Sequence, residues 1–531
     1  MRAGGPAASA FRRSVVSAFR RTVGRLRPAA TVMVFLGLTS CLQRPTTNPN
    51  VIVVGVTSGP NNLDPRIGTD DVSGKISQLV FNNLMTLDEH LQVVPDLADR
   101  LEHPDSVTWI ATLRRGVKFH DGHELTSADV VYTFRSLIDP ALLSPRKGAY
   151  RMVKEIYATG RYTVAFTLKE PFGSFPVNLV LPIVPDGAGP AFREHPVGTG
   201  PYRFVQYTVD DRVELTRFDD YFGGRAANDG LVLRVVPDDI MRGLELRKGT
   251  MDVVVNDLAP DIVHQLAQDP RLQLVQAPGT DYQYIGVNLR DPILRDVRVR
   301  RAIAHAIDRD AIITHLRRGL AIPATGILPP VSWAFDPDVA TYPYDPRKAR
   351  QLLDDAGYRD AGGVRFHLTL KVSNVEFNRL QSSVIQQNLR AVGIALDVRT
   401  YEFATFYADV LKGNFQLFTL QWVGGAVADP DILRRVFHSA QVPPLGFNRG
   451  FFHEASVDQV LDRAALQDDV RLARPMYNDV QRQVALALPY ISLWCKTNVV
   501  VAQRSLTGFH VLPTADFMFL KDVSRKRGAG V

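Results

Sequence analysis

Short strand-like apolar runs alternate with capped helical segments through most of this sequence, and one stretch shows the pattern from end to end. Leu231–Val236 has the composition of a buried strand, and Pro237-Asp238 stops it and supplies a helix cap. Ile240–Leu246 then has helical spacing, Gly249 ends the helix, and Met251–Val255 resumes as strand. A strand, a helix and a second strand so close together form a βαβ-like unit, which places the chain among mixed α/β folds. The same grammar recurs. Thr126 followed by Asp129 is a capping-box arrangement opening a helix to Ile138, Asp345-Pro346 opens one that Gly357 closes, and Val299, Ala302, Ile303 and Ala306 share a helical face before Asp308 caps the next. At roughly 150 residues per unit, 531 residues make about three compact units or two large lobes. With 45% hydrophobic residues and 2 Cys, disordered and disulfide-scaffold classes are excluded.

The formal charge of +7 invites a nucleic-acid reading until it is located. Residues 1–40 hold Arg2, Arg12, Arg13, Arg20, Arg21, Arg25 and Arg27, with no Lys and no acid; without them, 55 bases face 55 acids. A body of zero net charge has no global footprint for phosphate backbones, so no nucleic-acid partner is expected. The leader reads as a secretory signal: an arginine-rich stretch, an apolar run from Ala29 to Leu38, then small residues before Cys41. The run is far short of the roughly 20 residues a spanning helix needs. Residues 41–50 read as a tether. Leu38-Thr39-Ser40-Cys41 resembles a bacterial lipobox, in which the cysteine is lipidated; Cys495 is then left without a disulfide partner. The leader leaves Sec and twin-arginine export both open, and does not choose between inner and outer membrane.

Enzyme motifs are sparse. The sequence has no G-x-S-x-G elbow, no phosphate loop and no H-E-x-x-H, and Gly198-Thr199-Gly200 lacks the third glycine of a dinucleotide site. One tempting cluster is His120-Asp121-Gly122-His123-Glu124, where His120, His123 and Glu124 could serve a metal-dependent hydrolase. The competing reading is a turn, because Asp-Gly is a strong turn dipeptide and lies between a strand-like run and the Thr126 helix.

The cluster also carries a resemblance. Pro95-Asp96-Leu97-Ala98, then Leu113 through Gly122, then Ala128-Asp129-Val130-Val131 resemble the signature of the bacterial extracellular solute-binding proteins of family 5, the oligopeptide, dipeptide and nickel receptors of ABC importers. The similarity continues at Asn62-Leu63-Asp64-Pro65, Gly198-Thr199-Gly200-Pro201-Tyr202, Val299-Arg300-Arg301-Ala302, Ala306-Ile307-Asp308-Arg309, Lys348-Ala349 with Leu352-Leu353, and Asp429-Pro430. It implies a two-lobed, discontinuous α/β fold of the large periplasmic-binding-protein class (class II, cluster C-like). Lobe I would run over 51–282 with an inserted subdomain at about 82–195, lobe II over 283–488, and 489–531 would return to lobe I and end in a frayed tail. Tyr284–Asn288 and Pro489–Ser492 would be the hinge strands, closing around a solute. The implied protein is a monomeric receptor without cofactor or metal, delivering its solute to a permease and ATPase.

In the peptide receptors of this family, a lobe II tryptophan is followed three residues on by an aspartate that pairs with the peptide α-ammonium. Here Trp422 takes the first place and Gly425 the second. A buried ammonium without its partner costs about 3–5 kcal/mol, or two to four decades of affinity at about 1.4 kcal/mol per decade. Simple dipeptides are therefore expected to bind weakly, unless Asp429 swings into the role. Gly424 and Gly425 leave room for a bulkier solute. The remaining ligand candidates are Tyr282 and Tyr284, whose rings could stack on solute or fill core, and Asn61 and Asn62, which could donate to solute or build a turn. Asn288 is read as pinning hinge backbone, Trp333 as cleft rim, and Arg434 and His438 as structural. Trp422→Ala is expected to abolish the ligand response and change the apo protein's melting temperature little.

Overall fold

Pairing of the apolar runs produces two large mixed sheets. The computed structural model describes residues 48, 50–424 and 429–526; the leader, Cys41 and Gly425 lie outside them. In the first sheet the strand order is Leu272–Ala277, Asn498–Gln503, Val253–Val255, Val51–Val56, Gly230–Val235, Arg212–Arg217, Tyr202–Thr208. The βαβ-like segment lies at its centre. Its strands are both parallel to Val51–Val56, which sits between them instead of their pairing directly. The intervening helix Asp239–Lys248 begins where the Asp238 carboxylate accepts the Met241 N–H and ends at Gly249, whose φ of +72° is left-handed.

The second sheet runs Ala321–Pro323, Tyr490–Lys496, Tyr282–Val287, Leu417–Trp422, Phe366–Ser373, Ile394–Tyr401. Every residue of Tyr282–Val287 is buried, as expected of a strand covered on both faces. One face packs Val299, Ile303 and Leu389 against Ile285 and Val287; the other packs Phe406, Val436 and Val480 against Tyr282 and Tyr284. Between the first two elements of lobe I and its remaining strands, an antiparallel sheet ordered Ala98–Asp105, Thr108–Leu113, Thr163–Leu168, Val153–Gly160 forms a separate core with helix Ser127–Ile138. The expected capping box is present, with the Thr126 N–H donating to the Asp129 carboxylate at 2.8 Å.

The chain passes between the two large sheets twice, side by side. It leaves the first at Ala277 and enters the second at Tyr282; it leaves the second at Lys496 and re-enters the first at Asn498. This corrects the expected boundaries at 282/283 and 488/489. Tyr282 and all of Tyr490–Lys496 are antiparallel partners in the second sheet, and Pro489 marks the start of a strand rather than a change of lobe. The Lys496 N–H donates to Asp281 O at 2.8 Å and Asn498 Nδ2 to Pro278 O at 3.2 Å, so the crossings are stitched together. A Cβ on Gly279 would lie 2.2 Å from Lys496 O, so only glycine permits this approach. The expected frayed tail is tied down as far as Arg525: Ser524–Arg525 pairs with Leu506–Thr507, and the Arg525 guanidinium meets Asp252 at 2.9 Å.

Candidate functional site

A cavity of about 460 Å³ opens where the lobes meet. Asn256, Leu258, Pro260 and Val499 of lobe I form one wall, Leu316, Arg317 and Phe377 of lobe II the other, and Lys496-Thr497 of the return crossing lies between. Much of the wall follows the carboxyl ends of strands Val253–Val255 and Phe366–Ser373, the edge at which ligand crevices form in open α/β sheets. Two cations line it. Arg317, 7% exposed, lies over the rings of Phe377 at 4.8 Å and Trp494 at 5.8 Å. Burial lowers the Arg317 pKa to about 10, against the opposing pull of Asp281, and burial also lowers that of Lys496.

Asp281, at the first crossing, organises the end of the Leu417–Trp422 strand. Its carboxylate accepts the Gln421 amide at 2.8 Å and the Gly424 N–H at 3.0 Å. Trp422 is thereby held at the crossing, opposite Tyr282 in the ladder. It is only 9% exposed, packed edge-on to Phe447 at 5.2 Å and beneath the Arg449 guanidinium at 5.1 Å, and among the described residues its indole N–H has no hydrogen-bond partner. Arg449 was not anticipated from sequence. It is buried among aromatic rings and donates to the Tyr284 and Tyr407 hydroxyls at 3.1 and 3.0 Å. In Asn448-Arg449-Gly450 nothing marks this arginine as different from a solvated loop residue; only its partners, far away along the chain, do.

The other anticipated residues fall in several places. Tyr282 donates or accepts at Ser492 Oγ, 2.7 Å away, and lines a separate cavity of about 260 Å³ inside lobe II. Tyr284 is fully buried, stacked on Tyr490 at 4.1 Å, and burial holds its pKa well above the ordinary phenol range. The two rings share one face of a sheet covered by helices, so neither lines the interlobe cavity. Asn62 Oδ1 accepts the Asp64 N–H at 2.9 Å and the Asn61 N–H approaches Asp70 at 3.4 Å, both ordinary turn bonds. Asn288 Nδ2 donates to Phe415 O at 2.8 Å, pinning backbone. Asp429 lies at a third cavity of about 170 Å³ with Trp333 and Ser174, between the inserted subdomain and lobe II. Burial and the neighbouring Asp431 raise its pKa to about 7, making it a weak anchor for an ammonium near neutrality. Arg434 grips Asp431 at 2.7 Å and His438 Nδ1 accepts the Ala440 N–H at 3.0 Å.

The His120 cluster is a turn with each side chain already engaged. Gly122, at φ +96°, donates its N–H to Phe119 O at 2.9 Å. His120 accepts the Gly198 N–H at Nδ1 and donates from Nε2 to Gly200 O at 3.0 Å, His123 meets Asp121 at 2.6 Å, and Glu124 accepts from Gly116 and Tyr162. Among the described residues no group of three His, Cys, Asp or Glu could hold a metal, which corrects the hydrolase alternative. Burial lowers the His120 pKa from 6.5 to about 4. Between those values the unfolded chain takes up a proton that the folded protein refuses, so His120 makes stability fall as pH falls from 6.5 to 4. At about 1.36 kcal/mol per unit, the stability gap between wild type and His120→Gln is expected to narrow by about 3 kcal/mol from pH 7 to 4 in urea unfolding.

Two lobes joined by paired crossings around a cavity define a solute-binding protein of the periplasmic type, which binds its cargo rather than transforming it. The chain belongs to the bacterial extracellular solute-binding proteins, family 5: residues 92–443 match that family's middle region. The glutathione-binding protein GsiB of Pectobacterium atrosepticum is 31% identical over 482 residues, covering 88% of this chain and 93% of the relative. The oligopeptide-binding protein AppA of Bacillus subtilis is 27% identical over 493 residues, covering 88% and 90%. Its structure in complex with a nonapeptide superposes with a TM-score of 0.73 at 26% identity over 90% of this chain and 99% of that one. The structure of HbpA2 from Haemophilus parasuis gives a TM-score of 0.80 at 26% identity, covering 90% and 100%. Membership places the protein outside the cytoplasmic membrane, in the periplasm or at the cell surface; among the described residues no helix is long and apolar enough to cross a membrane.

Proposed function

We propose that this protein is the receptor of an ABC importer, tethered to a membrane by a lipid on Cys41, and that it captures a peptide-like or other polar solute between its lobes for delivery to a permease and ATPase. The observation that carries the reading is the interlobe cavity, walled by both lobes and bounded by the return crossing. A solute that touches both walls gains contacts in the closed state that an open state lacks, and that difference is what drives closure. Relatives named for binding glutathione and oligopeptides support a peptide-like cargo. Trp422 and Gly424 are proposed to face the solute once the lobes part. Gly425 stands where the peptide receptors carry an ammonium-binding aspartate, which favours a solute whose recognition does not depend on a free α-amino group.

Two measurements test this. Mass spectrometry of solute co-purified from the host, followed by thermal-shift titration, should identify a ligand that stabilises the protein by about 2.7 kcal/mol at 100 times its Kd; simple dipeptides should give far smaller shifts. A ligand chemically altered on incubation with the protein would overturn the receptor reading. Cys41→Ser is expected to move the protein from the membrane fraction to the soluble fraction, because the acyl chains supply the anchor; unchanged fractionation would remove the lipid from the proposal.

A further inference from the structure

Arg317 and Lys496 stand out among the cations of this molecule. Most buried arginines here are saturated: Arg300 donates to Leu294 O, Arg295 O and Ala487 O, and Arg242 to Asp257 O, Val236 O and Pro237 O. Arg317 is 7% exposed, yet among the described residues its guanidinium makes no hydrogen bond or ion pair, and its Nε is buried without a partner. The Lys496 ammonium likewise has no bonded partner among the described residues, and both side chains line the interlobe cavity. The carboxylates that influence them are engaged elsewhere. Asp281 holds Gln421 and Gly424, and Asp257 meets Lys75 at 3.4 Å. Asp239, Asp261 and Glu376 line the same cavity, but Asp261 pairs with Arg318 and none of the three lies within ion-pair distance of Arg317 or Lys496. No acid is hidden in the rest of the sequence, since residues 1–47, 49, 425–428 and 527–531 contain no Asp or Glu.

A charge withdrawn from water is retained when something compensates it, and among the described residues no carboxylate bonds either the buried Arg317 or the half-buried Lys496, which feel Asp281 only at a distance. We propose that Arg317 and Lys496 form the docking point for a carboxylate of the imported solute, the guanidinium receiving its two oxygens side-on and the ammonium neutralising the remaining charge. This deepens the receptor reading and rests on it. It names an anionic carboxylate as the feature that the cargo must carry. The planar fork of Arg317, already immobilised against Phe377 and Trp494, suits a carboxylate better than a spherical anion. The lobe I wall would then close over the bound group and exclude water from it.

The test uses the full chain with formate as the smallest carboxylate, formamide as its neutral counterpart, and chloride and inorganic phosphate as other anions, at constant ionic strength. Formate is expected to raise the Tm saturably by about 2 °C, and formamide, chloride and phosphate not to. Arg317→Met keeps the stem on Phe377 and removes the charge; it is expected to lose the formate response with an apo Tm equal to or above wild type, since an uncompensated buried cation has been deleted. Lys496→Met should weaken the formate response at least tenfold and serves if the first variant fails to fold. A formate response preserved in the folded variants, an equal response to formamide or chloride, or a lowered apo Tm with the response intact would each overturn the proposal. The receptor reading fails separately. If the co-purified solute lacks a carboxylate and binds Arg317→Met as it binds wild type, the docking point is wrong and the receptor stands; if formate behaves as expected but the purified protein converts its solute, the reverse holds.

Discussion

Trp422→Ala is expected to lower the unfolding free energy by about 3–5 kcal/mol and to erase the rise in Tm that the solute produces. Sequence alone predicts the second effect without the first, and burial supplies the difference. Trp422 ends a central strand of the lobe II sheet, is 9% exposed, and contributes to the same core as Phe418, Phe437 and Tyr490. Its removal opens a space beside Phe447 and takes one of the aromatic faces from Arg449, whose charge sits over Trp422, Phe447 and Tyr407 at 5.1–5.3 Å. Because a destabilised apo protein could lose its ligand response for trivial reasons, Trp422→Phe separates the two roles. Phenylalanine keeps most of the packing but lacks the indole N–H, which has no hydrogen-bond partner among the described residues. The apo Tm of that variant is expected to fall by no more than a few degrees while solute affinity drops about tenfold, the worth of one hydrogen bond to a desolvated partner. Wild-type affinity in Trp422→Phe together with wild-type stability in Trp422→Ala would exclude the tryptophan from both site and core.

Local grammar made the fold readable. The caps at Asp238 and Asp308, the left-handed Gly249 and the strand-like runs on either side are decided by neighbours a few residues away, so their sequence signals survive into the structure. The position of the crossings was less legible, because Tyr490–Lys496 and Asn498–Gln503 are both buried apolar strands separated only by Thr497, and nothing in composition says that the chain changes sheet there. The site was harder still. Tyr282 and Tyr284 carry the residue type expected of a ligand platform, but their shared face is roofed by helices that begin at Phe403, more than 100 residues further along the chain. Arg317 and Arg449 lie in sequence contexts typical of exposed arginines, Leu-Arg-Arg-Gly and Asn-Arg-Gly, and only the fold removes them from water. The family's signature residues were legible as a pattern without revealing their work. In the structure Asp96 receives the Asn82 and Asn83 donors, His120 clamps the Gly198 to Gly200 backbone, and Arg300 and Arg309 collect carbonyls. The motif is thus a record of buried polar bonds that hold lobes and subdomain in register.

The ion pair within one such motif gives the largest purely structural effect to be expected. Asp64→Ala should cost about 3–5 kcal/mol in urea unfolding, the range for removing one partner of a buried pair. The two side chains are 4% and 2% exposed, and Arg66 grips the carboxylate with both edges of its fork, Nη2 at 2.7 Å and Nε at 3.0 Å. The same guanidinium reaches Ala188 O at 2.8 Å and Ser136 Oγ at 3.2 Å, and lies over Tyr132 and Phe192, so it ties the first loop of lobe I to the inserted subdomain. Without Asp64, the cation keeps those neutral partners but loses its one ion-pair partner among the described residues, in a place water does not reach. Replacing both residues with apolar side chains, Asp64→Leu with Arg66→Met, is expected to recover a large part of the loss, because the desolvation penalty of the charge disappears along with the attraction. The sum of the single-variant losses should therefore exceed the double-variant loss by about 2 kcal/mol or more. Strict additivity would mean that the pair is solvated in solution and that the inserted subdomain is held to lobe I by its apolar contacts alone.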